Sequence, residues 1–121
     1  MSGAVLKEFN GQMSELKEKM YDVMVRNNSA DEPGNLNSLH RYEELLRKIL
    51  FFWKRLYQGG AAAATYTLRM PSEELQALFN EKTRWYIQNI LKNPDTDVRI
   101  HGIALVERNC EMEPSNLSAD K

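Results

Sequence analysis

The chain has 121 residues, of which 42% are hydrophobic and 27% charged, with 16 basic residues against 17 acidic ones. That length suits one domain with a core that needs no metal or disulfide staple. A net charge of -1 excludes a global electrostatic attraction to nucleic acid or to an anionic membrane.

The redox and targeting signals are equally plain. Cys110 stands alone, so it forms no disulfide within the chain, which favours a reducing compartment. No apolar run approaches a membrane span. The N-terminal MSGAVLKEF reads as neither a signal peptide nor an N-myristoylation signal. The expected location is therefore intracellular, cytoplasmic or nuclear.

The first expected element is a helix over Ala4 to Val25. Leu6, Phe9, Met13, Leu16, Met20 and Val23 recur at spacings of three and four, a narrow apolar seam flanked by Lys17, Glu18, Lys19 and Asp22. Such a seam suits packing inside the chain. The alternative is a coiled coil with a second copy or a partner, and Leu6, Met13, Leu16 and Met20 would then be the contact residues. Arg26 to Ser38 reads as a loop, with Pro33-Gly34 as its turn signal. Asn37 or Ser38 is placed to cap the next helix, and Leu36 to act as a hydrophobic staple.

The longest apolar-periodic run follows, LHRYEELLRKILFFWKRLY, Leu39 to Tyr57. At about 100° per residue, Tyr42, Leu45, Leu46, Ile49, Leu50, Phe52, Trp53, Leu56 and Tyr57 share one broad arc. An arc that wide calls for at least two neighbouring elements to cover it, and a buried Trp53 needs a partner for its N–H. Arg41, Glu43, Glu44, Arg47, Lys48, Lys54 and Arg55 occupy the other side. Phe51 breaks the pattern, because it falls among those charges. It is either a second packing contact within the chain or an exposed aromatic rimmed by Arg47, Lys54 and Arg55, a composition enriched at protein interfaces.

Gly59-Gly60 marks the end of this helix. Ala61 to Met70 favours a short helix, with a flexible linker as the alternative. Pro71-Ser72-Glu73-Glu74 opens a further helix, with either Ser72 as cap or Pro71 at its first position, running to about Lys92 and stopping before Pro94. Leu75, Leu78, Phe79, Trp85, Tyr86 and Ile90 share its apolar face. Lys82 and Asn89 interrupt that face, Lys82 as a lysine expected to snorkel from the core edge. Asn93 to Asn109 alternates in a way that suits a strand, yet Asp95 or Thr96 as a cap with Asp97 in the first turn suits a helix, which is the preferred reading. Asp97-Val98-Arg99 followed by Gly102 and Leu105 resembles the second helix of a HEAT-type repeat, without a second copy. Beyond Cys110 the chain is polar, and residues 111–121 are expected to form a disordered tail.

Signatures of chemistry are missing. Gly59-Gly60 lacks the lysine and hydroxyl of a phosphate-binding loop. His40 and His101 lie far apart, Cys110 has no activating pair, and the acidic residues are scattered. No cofactor, metal or catalytic residue is expected. Lys48 to Tyr57 and Lys82 to Tyr86 interleave cations with aromatics, as single-stranded nucleic-acid binders do, although most of these aromatics fall on apolar arcs.

The sequence therefore describes an all-α bundle of four to five helices over residues 1–110 with a disordered tail. It would act as a non-enzymatic adaptor or small subunit, docking on another protein or a second copy through helix faces. A helical nucleic-acid-binding module is the alternative.

Overall fold

The computed structural model describes residues 2–26, 36–59 and 68–119, with side chains at 3–26, 37–59 and 68–109. Four helices account for most of them, and none of the described residues forms a strand. Helix α1, Ser2–Tyr21, runs into a π-helical turn at Asp22–Arg26. Helix α2 spans Leu36–Gly59. Helix α3, Glu73–Tyr86, continues through a second π-helical turn at Ile87–Leu91. Helix α4 spans Thr96–Ala119.

Local chemistry sets the helix starts. Ser72 has extended backbone (φ -142, ψ 158), and its Oγ accepts from the Leu75 N–H at 3.1 Å. Ser72 is thus the cap of α3, Pro71 stands outside it, and Glu73 and Glu74 sit at the positive end of the helix dipole. At α4 the Asp97 N–H donates to Asp95 Oδ1 at 2.9 Å, and the Asp95 N–H donates to Asn93 Oδ1 at 2.9 Å. Arg99 reaches back to the Asn93 carbonyl and to Thr96 Oγ1. The Asp95 side chain thus satisfies one orphan donor of the first turn, and residues 96–109 are helical, the preferred of the two readings.

Pairings between the helices give their directions. Phe9 stacks on Trp53 and Tyr21 meets Tyr42 edge-on, so α1 and α2 are antiparallel. Lys19 pairs with Glu74 and Gln12 with Lys82, so α3 runs against α1. Leu6 lies beside Ala104 and Leu105, and Lys17 donates to Asn109, so α4 runs with α1. It follows that α2 and α3 point the same way, which a hairpin cannot achieve. The chain must cross back between Gly59 and Ser72. Of the short helix expected at Ala61 to Met70, residues 61–67 lie outside the described residues. Leu68–Met70 is irregular and held by Gln76, whose Oε1 accepts from the Met70 N–H at 2.8 Å and whose Nε2 donates to the Leu68 carbonyl at 3.1 Å.

All four helices contribute to the core, Val98 and Val106 coming from α4, and its aromatic centre lies between α1, α2 and α3. Phe9 is ringed by Trp53, Trp85 and Tyr86 with centroids 6.0, 5.8 and 5.4 Å away, and Trp53 stacks on Tyr86 at 4.7 Å. Trp53 Nε1 donates to Thr83 Oγ1 at 3.0 Å, and the Tyr86 hydroxyl donates to the Trp53 carbonyl at 3.2 Å. The polar tips of Trp53 and Tyr86, the two fully buried members, are thus satisfied, as burial requires. Burial raises the Tyr86 phenol above its ordinary value, and the nearby Tyr57 phenol pushes it the same way. At the far end of α3, buried Gly102 of α4 rests on Ile90. A Cβ at Gly102 would stand 2.3 Å from Ile90 Cγ2, so only glycine lets the two backbones approach.

Several expectations need correcting. Helix α2 begins at Leu36, not after Ser38, so Asn37 and Ser38 belong to its first turn rather than its cap. Ser38 is buried, and its hydroxyl has no hydrogen-bond partner among the described residues. In α1 the seam ends on Val25 as the buried residue, with Val23 half-buried, because the π turn's i→i+5 pattern shifts the phase of the helix. Tyr57, expected on the apolar arc, is 43% exposed at the end of α2. The bounds of helix α4 reach Ala119, past Pro114, beyond the expected limit of the domain at residue 110.

A candidate docking face on the second helix

Helix α2 shows two different sides. Inward, Leu46, Ile49, Leu50, Phe52, Trp53 and Leu56 are all buried. They pack on α4, on the π turn after α1, and through Trp53 and Phe52 on Thr83 and Phe79 of α3. Outward, Arg41, Glu44, Lys48, Phe51 and Arg55 follow one another at helical spacing and are exposed. Phe51 is 51% exposed, the largest exposure among the described large hydrophobic residues. Of its two possible settings, the structure gives the one facing solvent.

The surroundings of Phe51 are basic. On a helix the nearest surface neighbours lie three and four residues away, which here means Arg47, Lys48, Lys54 and Arg55. One acidic side chain reaches the group: Glu107 of α4, whose Oε2 lies 3.6 Å from Lys54 Nζ. Both side chains are partly exposed, so the pair contributes at most about 1 kcal/mol. No described carboxylate pairs with Arg47, Lys48 or Arg55.

Toward the N-terminal end of α2 the same stripe borders an open groove of about 350 Å³. Met24, Leu45, Met70 and Pro71 supply its apolar surface, and Arg41, Glu44, Lys48 and Arg69 its polar rim. Sequence reasoning missed this groove. Its walls come from the π turn after α1, from α2 and from the segment ahead of α3, which only the crossover brings together. Arg69 and Met70 gave no local signal.

The other expected contact set has a different fate. Met13, Leu16 and Met20 are buried in the chain's own core, and Leu6 is half-buried where α1 meets α4. Lys82, expected to snorkel, is instead 2% exposed and reaches sideways to α1. Its Nζ donates to Gln12 Oε1 and to Glu15 Oε1, each at 2.7 Å. Lys82 is therefore an interior tie between α3 and α1. The aromatics interleaved with it, Trp85 and Tyr86, belong to the core cluster.

His40 has a carboxylate one turn away, Glu44 Oε2 at 3.9 Å, with both side chains largely exposed. Among the described residues no group of three or more His, Cys, Asp or Glu side chains stands close enough to hold a metal ion. Nor is any helix among them long and apolar enough to cross a membrane. The chain matches no protein-family model, no curated protein and no solved structure.

Proposed function

We propose that this chain is a non-enzymatic interaction module, an adaptor or small subunit of a larger intracellular assembly, that docks on another protein through the outer face of α2. Phe51 is the anchor, and Arg47, Lys54 and Arg55 frame it. The observation that carries this reading is the half exposure of Phe51 among Arg47, Lys48, Lys54 and Arg55, on a helix whose other large apolar residues are buried or half-buried apart from Tyr57. An aromatic anchor flanked by arginine is the composition from which binding hot spots are built. Phe51 is not among the described residues of the core cluster. Because Met13, Leu16 and Met20 are occupied inside the chain, the proposal rests on the Phe51 set rather than on the seam.

The same ring of cations supports nucleic-acid binding as the second reading, since a base could stack on Phe51 with arginines at the phosphates. One experiment separates the two. Tagged wild-type and Phe51→Glu proteins would be purified from cells, with and without nuclease, and their companions identified by mass spectrometry. A stoichiometric protein that survives nuclease and disappears with Phe51→Glu is the expected result. Loss of every companion to nuclease would transfer the site to nucleic acid. Retention of the same protein by Phe51→Glu would remove Phe51 from the interface.

A further inference from the structure

We infer, building on the reading of α2 as a docking face, that the partner contributes an acidic amphipathic segment. Its apolar side chain enters the groove between Met24, Leu45 and Met70, and its carboxylates pair with Arg41, Lys48 and Arg69. Three observations support this occupant. First, the groove is built from three separate elements and has an apolar floor, with Met70 buried and Met24 and Leu45 half-buried. An apolar floor gains from an aliphatic or aromatic side chain and gains nothing from a phosphate. Methionines in such a surface adapt to the shape of what enters.

Second, the rim is mainly cationic. Arg41, Lys48 and Arg69 are exposed, and no described carboxylate pairs with any of them. The one acid on the rim, Glu44, lies 3.9 Å from His40. Charge complementarity therefore selects a segment with an excess of Asp and Glu.

Third, the groove and Phe51 form one surface. Lys48 lines the groove and is also the neighbour of Phe51 one turn away. A helical segment laid along α2 would meet the groove and Phe51 in succession, with apolar residues on one side and carboxylates along both edges.

The test is a displayed library of random helix-length peptides, selected on the full-length chain. The enriched peptides should carry a net negative charge, with apolar residues at helical spacing. Their binding should weaken at least about tenfold in an Arg41→Glu, Lys48→Glu, Arg69→Glu triple variant and fall with added salt. A control charge swap on the other side of the bundle, Lys7→Glu with Arg108→Glu, should leave binding unchanged. All five positions are exposed, and the thermal midpoint of each variant checks that folding is intact.

Enriched peptides without an acidic excess, or a selection that enriches nothing over the triple variant, would overturn the inference. So would a single-stranded oligonucleotide that binds through the same three cations and displaces the peptides. Peptides that ignore the triple variant but are lost with Phe51→Ser would sink the groove while leaving the docking face in place. Peptides indifferent to both variants would sink both.

Discussion

At the contact between α1 and α3, Lys82 stands one helical turn from Trp85 and Tyr86, and nearly all of it is interior. On the outer side of α2, Phe51 lies beside Arg47, Lys48, Lys54 and Arg55, and half of it meets solvent. The two regions draw on the same residue types. What differs is the supply of acceptors and of neighbouring rings. Lys82 has Gln12 and Glu15 at 2.7 Å to replace its water, and the aromatics one turn away stack on Phe9. The Phe51 ring has no described aromatic partner, and most of its cations have no described carboxylate. An interior cation is tolerated when hydrogen-bonded acceptors take over from solvent. Where they are missing, the group stays at the surface and its pairing capacity remains open to another molecule.

The largest test of this contrast compares the two aromatic sites directly. Trp53→Ala removes the centre of the stack and should cost about 3–5 kcal/mol, read by urea or thermal unfolding followed by circular dichroism. Phe51→Ala should stay within about 0.5 kcal/mol in the same assay, as a surface substitution. A loss at Phe51 comparable with that at Trp53 would mean the ring is covered after all.

The lysine tie should respond asymmetrically. Replacing its two hydrogen-bond acceptors together, Gln12→Leu with Glu15→Leu, leaves the interior ammonium only Glu81, at 3.8 Å, and should cost about 3 kcal/mol. Lys82→Met should cost less than about 1 kcal/mol, because the Glu15 side chain left behind is 61% exposed and returns to water. Equal losses from both sides would contradict the interior placement of Lys82.

Gly102→Ala should destabilise by about 1–3 kcal/mol, since Ile90 is fully buried and has little room to move. Pairing it with Ile90→Ala, which removes the clashing Cγ2, should give less than the sum of the two single losses in a double-mutant cycle.

Tyr86 makes stability depend on alkaline pH. Its folded-state pKa is raised above the ordinary phenol value of 10.0 by burial and by Tyr57. The unfolded chain therefore gives up this proton first. The stabilisation is complete below that value and drains away as pH rises beyond it. Unfolding curves taken from neutral pH to above the phenol range should show the decline, and Tyr86→Phe should flatten it.

The smallest expected effect has a distinctive sign. Ser38→Ala removes a buried hydroxyl without a described partner and should stabilise by about 0.5–1 kcal/mol. Were Ser38 a helix cap, the same change would cost about 1 kcal/mol instead.

Much of the secondary structure was legible in the residues themselves. The broad arc of α2 and the seam of α1 state which sides are apolar, because helical periodicity is a local property. Ser72 ahead of Glu73-Glu74, and Asp95 ahead of Thr96, announce helix starts through bonds that span three residues or fewer. The exception at Phe51 was visible for the same reason, since a phenylalanine among charges violates a local pattern. Sequence alone left two settings open for it, because a second packing contact and an open surface read identically in one dimension.

Tertiary structure decided the rest, and in each case the reason is distance along the chain. Lys82 is an interior residue only because Gln12 and Glu15, 70 and 67 positions earlier, stand opposite it. Gly102 matters because Ile90 faces it across a chain reversal, not because of its neighbours in sequence. The groove beside α2 exists because the chain crosses back after Gly59 and sets Arg69 and Met70 against Met24 and Leu45. Periodicity tells a side chain which way to point, while burial, pairing and exposure depend on what the fold places there to meet it.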